Sequence, residues 1–155
     1  MRAESAIDSA LVSSYDTRMN EMDTKTMVDA VRPIAERAGL SLVVLFGSYA
    51  TGREHAQSDT DIAVLAERTF SPSELATLAY ELSQNLKNSS IDISDLRTGS
   101  PLLLRTVAHD GIVLFEREPH AFALFQMYAF KRFVEAKPLR DLRRASLEQF
   151  VAPTL

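Results

Sequence analysis

Between residues 42 and 65 the chain reads Leu-Val-Val-Leu-Phe, then Gly47-Ser48, then ten residues, then Asp59-Thr60-Asp61 followed by Ile-Ala-Val-Leu. Two apolar runs of strand length, one ending in a small-residue turn and the next opening on two carboxylates, constrain the fold more than any other stretch. Side chains alternate faces along a strand, so Asp59 and Asp61 share a face and lie a few ångströms apart. Carboxylates that close repel each other unless a cation lies between them. The spacing points to a divalent-metal site whose oxygen donors suit Mg²⁺. Gly47 has no β-carbon to crowd a phosphate chain, and the Ser48 hydroxyl and the N–H groups of the turn can approach one. Together these residues read as a nucleoside triphosphate held by metal and turn.

The surrounding sequence supplies a frame for that site. A helical pattern runs from Asp23 through Met27, Val31, Ile34 and Ala35 to Ala38, with Gly39 as the residue that ends it. Pro33 inside this pattern predicts a kink or a break. Strands are expected at 41–46 and 59–66. Ser71-Pro72-Ser73-Glu74 has the form of a capping box, and the helix it opens carries Leu75, Leu78, Ala79, Leu82 and Leu86 on one face to about Asn88. A third strand is expected at 91–96, a short helix from Ser100-Pro101 to His109, and a fourth strand at 112–115. The pattern is that of an α/β (α+β) chain, a small mixed β-sheet flanked by helices.

From Pro119 the composition shifts. Phe122, Phe125, Tyr128, Phe130 and Phe133 crowd into about three helical turns, and Lys131, Arg132, Lys137, Arg140, Arg143 and Arg144 run through and beyond them. A long C-terminal helix is expected, its aromatic side chains either packed on the sheet or forming a docking face for a partner, with direct RNA binding through the basic run as a third, lesser reading. Residues 1–22 are polar and Ser-rich and read as a flexible arm, with Met19 and Met22 as later starts. The expected organisation is an arm at 1–22, a catalytic domain at 23–116 and a helical extension at 117–155.

Composition narrows the function classes. The 155 residues are 46% hydrophobic and 25% charged, as in a soluble globular domain. Zero cysteines exclude disulfides and Cys-ligated metals and suit a reducing cytoplasm. A net charge of −4 argues against broad nucleic-acid binding. No apolar run approaches the roughly 18 residues of a membrane span, and the N-terminus has no secretory pattern. His55, His109 and His120 have no ligand spacing, no Ser–His–Asp arrangement is readable, and Gly47-Ser48 lacks the Gly-Lys-Ser/Thr of a P-loop.

The Gly-Ser turn, its spacer and the Asp-x-Asp pair resemble the nucleotidyltransferase superfamily of the DNA polymerase β type, most closely its minimal nucleotidyltransferase (MNT) branch. The resemblance spans residues 24–116 and implies the nucleotidyltransferase fold. It also implies a third carboxylate on the neighbouring strand, at Asp92 in Ile91-Asp92-Ile93. Asp95 is the alternative, though its odd offset puts it on the other face of a regular strand unless a bulge intervenes. By this resemblance Asp59, Asp61 and Asp92 form the catalytic and metal-binding set for Mg²⁺, and Gly47, Ser48, Gly52 and Arg53 bind ATP. Thr51 stands where members often carry a basic residue, and Arg53 offers that charge two places on. Solitary MNT relatives are antitoxins that move AMP from ATP to a tyrosine of a HEPN-domain RNase toxin. The implied function is thus a protein adenylyltransferase antitoxin docking on its toxin partly through the C-terminal segment, with neither membrane association nor stable nucleic-acid binding. A small-molecule nucleotidyltransferase of the aminoglycoside-modifying kind and a non-catalytic binding antitoxin are the alternatives.

Overall fold

A computed structural model describes residues 21–50 and 59–151. The apolar run after Gly39 forms β1 (Leu40–Phe46), which is buried nearly throughout because both of its faces are covered. With β2 (Thr60–Ala66), β3 (Ile91–Asp95) and β4 (Ile112–Glu116) it makes a mixed sheet ordered β3-β2-β1-β4. β1 pairs antiparallel with β2 and β4, whereas β2 and β3 run parallel. Antiparallel neighbours can be joined by short loops, but a parallel pair needs a crossover, here through the helix α3 described below.

The helices of the frame are α1 (Glu21–Arg37), a single turn α2 (Gly47–Ala50), α3 (Pro72–Leu86), α4 (Pro101–Asp110), α5 (Ala121–Glu135) and α6 (Lys137–Val151). On one face of the sheet Val43, Leu45, Ile62 and Val64 pack with Val31 and Ile34 of α1 and Leu78 and Leu82 of α3. On the other face Leu42, Val44, Phe46 and Ala63 meet Leu104 and Val107 of α4 and Phe125 and Ala129 of α5. A strand covered on both faces must be apolar at every position, which is why residues 42–46 read as a continuous run.

Pro33 does not break α1, which runs unbroken from Glu21 to Arg37. The carbonyl that loses its donor belongs to Asp29, and both residues lie on the exposed side, where water can serve it. The start of α3 follows the sequence closely. Ser71 Oγ accepts from the Glu74 N–H at 3.3 Å, Glu74 Oε2 accepts from the Ser71 N–H at 2.8 Å, and Pro72 opens the first turn. The helix closes at Lys87, whose left-handed backbone (φ 52°) turns the chain toward β3. Of the expected N-terminal arm, residues 1–20 lie outside the described residues.

The expected single C-terminal helix is two, α5 and α6, meeting at Ala136. Pro138 is the cause: within a continuing helix its ring would clash with the Val134 carbonyl, but at the second position of a new helix it costs nothing. Phe133 lies between the guanidinium groups of Arg105 and Arg140, at 4.6 and 3.6 Å, and Arg140 donates to the Phe133 carbonyl at 2.5 Å. These contacts seat the start of α6 against α5.

The aromatic run divides its faces. Phe125 and Ala129 are buried against the sheet and Phe122 packs beside them. Leu124, Met127, Phe130 and Val134 face outward, with Phe130 70% exposed, and the outward set continues in α6 with Leu139, Leu142, Leu147 and Phe150. Three of the basic residues are paired with acids one turn on, in Lys131–Glu135, Lys137–Asp141 and Arg144–Glu148. The segment is thus less of a free cationic surface than its sequence suggests.

Candidate active site

Exposed Asp59 immediately precedes the second strand, which opens on buried Thr60 and half-buried Asp61. Thr60 is fully buried, and its N–H donates to the Ser90 carbonyl at 2.8 Å, which fixes where the strand begins. Asp61 is registered opposite Asp92 in the parallel β2–β3 pair. Side chains in register on adjacent parallel strands project to the same face. Ile91 and Ile93 pack into the core beneath α1 and α3, so Asp92 between them points to the other face, the one Asp61 shares with Ala63.

Asp95 is placed differently. It falls on the face of Ile91 and Ile93, is buried, and its carboxylate accepts from the Phe70 N–H at 3.2 Å and the Arg97 N–H at 2.9 Å. Its work is to tie the loop before α3 to the end of β3.

Asp59, Asp61 and Asp92 interact electrostatically. The Asp61 carboxyl is held above its ordinary range, first by partial burial and then by the charges of Asp92 and Asp59. Such mutual repulsion is what a bound cation would relieve. Among the described residues no three acidic, His or Cys side chains converge on one point as a ready-made ligand set. The donor chemistry nonetheless suits Mg²⁺, being entirely oxygen and carried on neighbouring strands.

Gly47 completes this corner. Its φ of +78° is a left-handed value that other residues adopt with difficulty, and a β-carbon there would overlap the Asp61 carboxylate. The turn and the carboxylate therefore occupy adjoining space only because residue 47 has no side chain. Ser48 follows within α2, while Gly52, Arg53 and His55 lie outside the described residues. Neither other histidine joins the site: His109 Nδ1 meets Asp110 at 2.6 Å, and His120 precedes α5.

Two residues that the motif does not mark also reach this corner. Ser90 Oγ donates to Asp59 Oδ1, and the Asn88 amide donates to Thr60 Oγ1 at 2.7 Å. The signal was the polar stretch Asn88-Ser89-Ser90 directly before β3, readable as more than a loop once β3 is known to run parallel to β2.

A four-stranded mixed sheet with an Asp-x-Asp pair beside a glycine turn, and a third aspartate in register on the next strand, is the scaffold of a nucleotidyltransferase. The profile of the family "Polymerase beta, Nucleotidyltransferase" matches residues 29–120, and the chain belongs to that family. It is 34% identical over 115 residues to the protein adenylyltransferase MntA of Shewanella oneidensis, covering 74% of this chain and 79% of that protein. It is 32% identical over 145 residues to the protein adenylyltransferase MntA of Aphanizomenon flos-aquae, covering 81% and 97%. Among solved structures, a toxin–antitoxin crystal structure with AMP-PNP superposes with a TM-score of 0.67 at 29% identity, over 81% of this chain and 98% of that one. A tri-AMPylated Shewanella oneidensis HEPN toxin in complex with its MNT antitoxin gives 0.62 at 26%, over 85% and 98%. None of the described helices is long and apolar enough to cross a membrane.

Proposed function

We propose that this chain is an antitoxin that transfers AMP from ATP to a tyrosine of a HEPN-domain RNase toxin and so silences it. The observation that carries this reading is the register of Asp61 against Asp92, with the charge of Asp59 bearing on Asp61 as well, in a chain that resembles two protein adenylyltransferases over most of its length. Asp59, Asp61 and Asp92 would hold Mg²⁺, which when bound supplies positive charge against the triphosphate and the developing phosphorane. Gly47 leaves room for the phosphates, and Ser48 and the N–H groups of its turn are assigned to them, with Gly52 and Arg53 as the remaining nucleotide-binding candidates.

In the reaction the tyrosine oxygen forms a bond to the α-phosphorus and the bond to the β-phosphate oxygen breaks in line, releasing pyrophosphate. Asp92, on the acceptor side, takes the phenolic proton. An AMP group added beside the RNA-cleaving residues of the toxin would exclude RNA by bulk and by charge. A cytoplasmic location suits both the ATP requirement and a toxin that cleaves RNA.

The docking surface is assigned in part to the outward apolar side of α5 and α6. Exposed Phe130 anchors it, since aromatic side chains dominate binding energy at interfaces. Phe130→Asp is expected to weaken the complex at least ~30-fold, about 2 kcal/mol, in calorimetric titration, with the melting temperature unchanged because the side chain is outside the core. Undiminished affinity would remove α5 from the interface.

Transfer itself is tested by the intact mass of the toxin after incubation with this protein, Mg²⁺ and ATP. A gain of one or more AMP units, absent with Asp59→Asn, is the expected result. Co-purification without any gain would replace transfer by occlusion alone.

A further inference from the structure

The segment between α3 and β3 is built to hold Asp59. Lys87 ends the helix in a left-handed conformation, with its N–H returned to the Ser83 carbonyl. Asn88 then bridges in two directions: its amide donates to Thr60 Oγ1 at 2.7 Å and its Oδ1 accepts from the Ser90 N–H at 2.9 Å. The Ser90 carbonyl accepts from the Thr60 N–H at 2.8 Å, and the Ser90 hydroxyl donates to Asp59 Oδ1. Three hydrogen bonds thus tie this short loop to residues 59 and 60.

This arrangement has a physical purpose that the motif alone does not reveal. Asp59 precedes the strand and is exposed, so the sheet hydrogen bonds that orient Asp61 do not orient its side chain. An exposed carboxylate near two others would turn toward solvent, away from their charge. A hydroxyl donor on one oxygen opposes that drift and leaves the second oxygen free.

From these contacts we infer that Ser90 is a positioning residue for Asp59, fixed in turn by Asn88, and that it sets the site's affinity for its divalent cation. The inference rests on the nucleotidyl-transfer reading of the three carboxylates. Hydrogen bonds of this kind to metal-binding side chains are worth roughly 10–100-fold in metal affinity or activity. Because Ser90 is exposed, its removal leaves no cavity and no buried group without a partner.

The test measures Mn²⁺ binding by electron paramagnetic resonance, with a non-hydrolysable ATP analogue present and no chemistry occurring. Ser90→Ala is expected to raise the Mn²⁺ dissociation constant about tenfold, and Ser90→Thr, which keeps the hydroxyl, to restore it. In AMP transfer the same loss should be recovered by raising Mg²⁺, with the melting temperature unmoved. Unchanged or tighter Mn²⁺ binding in Ser90→Ala overturns the positioning role alone. A fall in activity that follows a fall in melting temperature, and that Mg²⁺ does not recover, overturns it in favour of a structural one. If the wild-type protein binds no Mn²⁺ and Asp59→Asn changes nothing, the metal reading fails and takes the positioning role with it.

Discussion

Asp61→Asn is expected to cut AMP transfer by at least about 10³-fold, equivalent to ~4 kcal/mol of transition-state stabilisation, while leaving the fold intact and slightly more heat-resistant. The two effects share a cause. Asp61 is partly buried beside Asp92 and Asp59, and its proton affinity in the folded chain is raised by that burial and those charges. A carboxyl with a raised folded pKa contributes stability that is full below its unfolded value and is lost as pH rises through the folded one. At neutral pH in a chelating buffer, the ionised Asp61 therefore weighs against folding. Asparagine keeps the shape and removes the charge. The expected gain is at most about 1 kcal/mol, given the partial exposure, or ~2–4 °C in melting temperature for a chain of this size. That gain should vanish when the measurement is repeated at acidic pH, below the ordinary carboxylate range, because Asp61 is then neutral as well. Transfer at near wild-type rate would remove Asp61 from the reaction, and a lowered melting temperature at neutral pH would contradict the electrostatic account.

Gly47→Ala should damage both stability and catalysis. The φ of +78° disfavours any side chain, and the added methyl would fall on the Asp61 carboxylate. The backbone conflict costs about 1–2 kcal/mol, and a displacement of a reacting group by about 1 Å can cost ~10²-fold in rate. Gly39, with a φ of +70° and open space around its β-carbon position, is the built-in control. Gly39→Ala should share the backbone penalty and retain transfer. If both variants transferred AMP equally well, the proximity of the turn to Asp61 would have no catalytic meaning. The two proteins compared by thermal melting and by AMP incorporation separate conformational strain from crowding at the site.

Part of the carboxylate corner was readable from the sequence: strand alternation predicted a shared face for Asp59 and Asp61, although β2 itself begins only at Thr60. Asp92 was singled out by the resemblance to the nucleotidyltransferase superfamily, and the structure sets it in register with Asp61 and puts Asp95 on the other face. The capping box of α3 was equally readable, since its hydrogen bonds lie within four residues. What escaped depended on partners distant in the chain. Ser90 and Asn88 matter only because β3 runs parallel to β2, a pairing that local pattern does not encode. Of the kink or break that Pro33 predicted, the break does not occur, because the carbonyl it orphans lies on the exposed side of α1. Pro138 did mark the division of the C-terminal helix, but a dense run of aromatic residues masked it. The turn residues Gly52 and Arg53 remain sequence assignments, outside the described residues.

The parallel pairing of β2 with β3 also bears on the order in which the molecule assembles. β1 and β2 can pair early as neighbours in the chain, whereas Asp59 and its Ser90 partner are 31 positions apart and meet only after the crossover has closed. Long-range closures of this kind come late in folding, because chain entropy is lost before the contacts repay it. A ligand that needs all three carboxylates would recognise only molecules that have completed this step, and by mass action would hold them there. On the proposed reading that ligand is Mg²⁺ with its nucleotide, which would thus add stability only to chains whose crossover has closed.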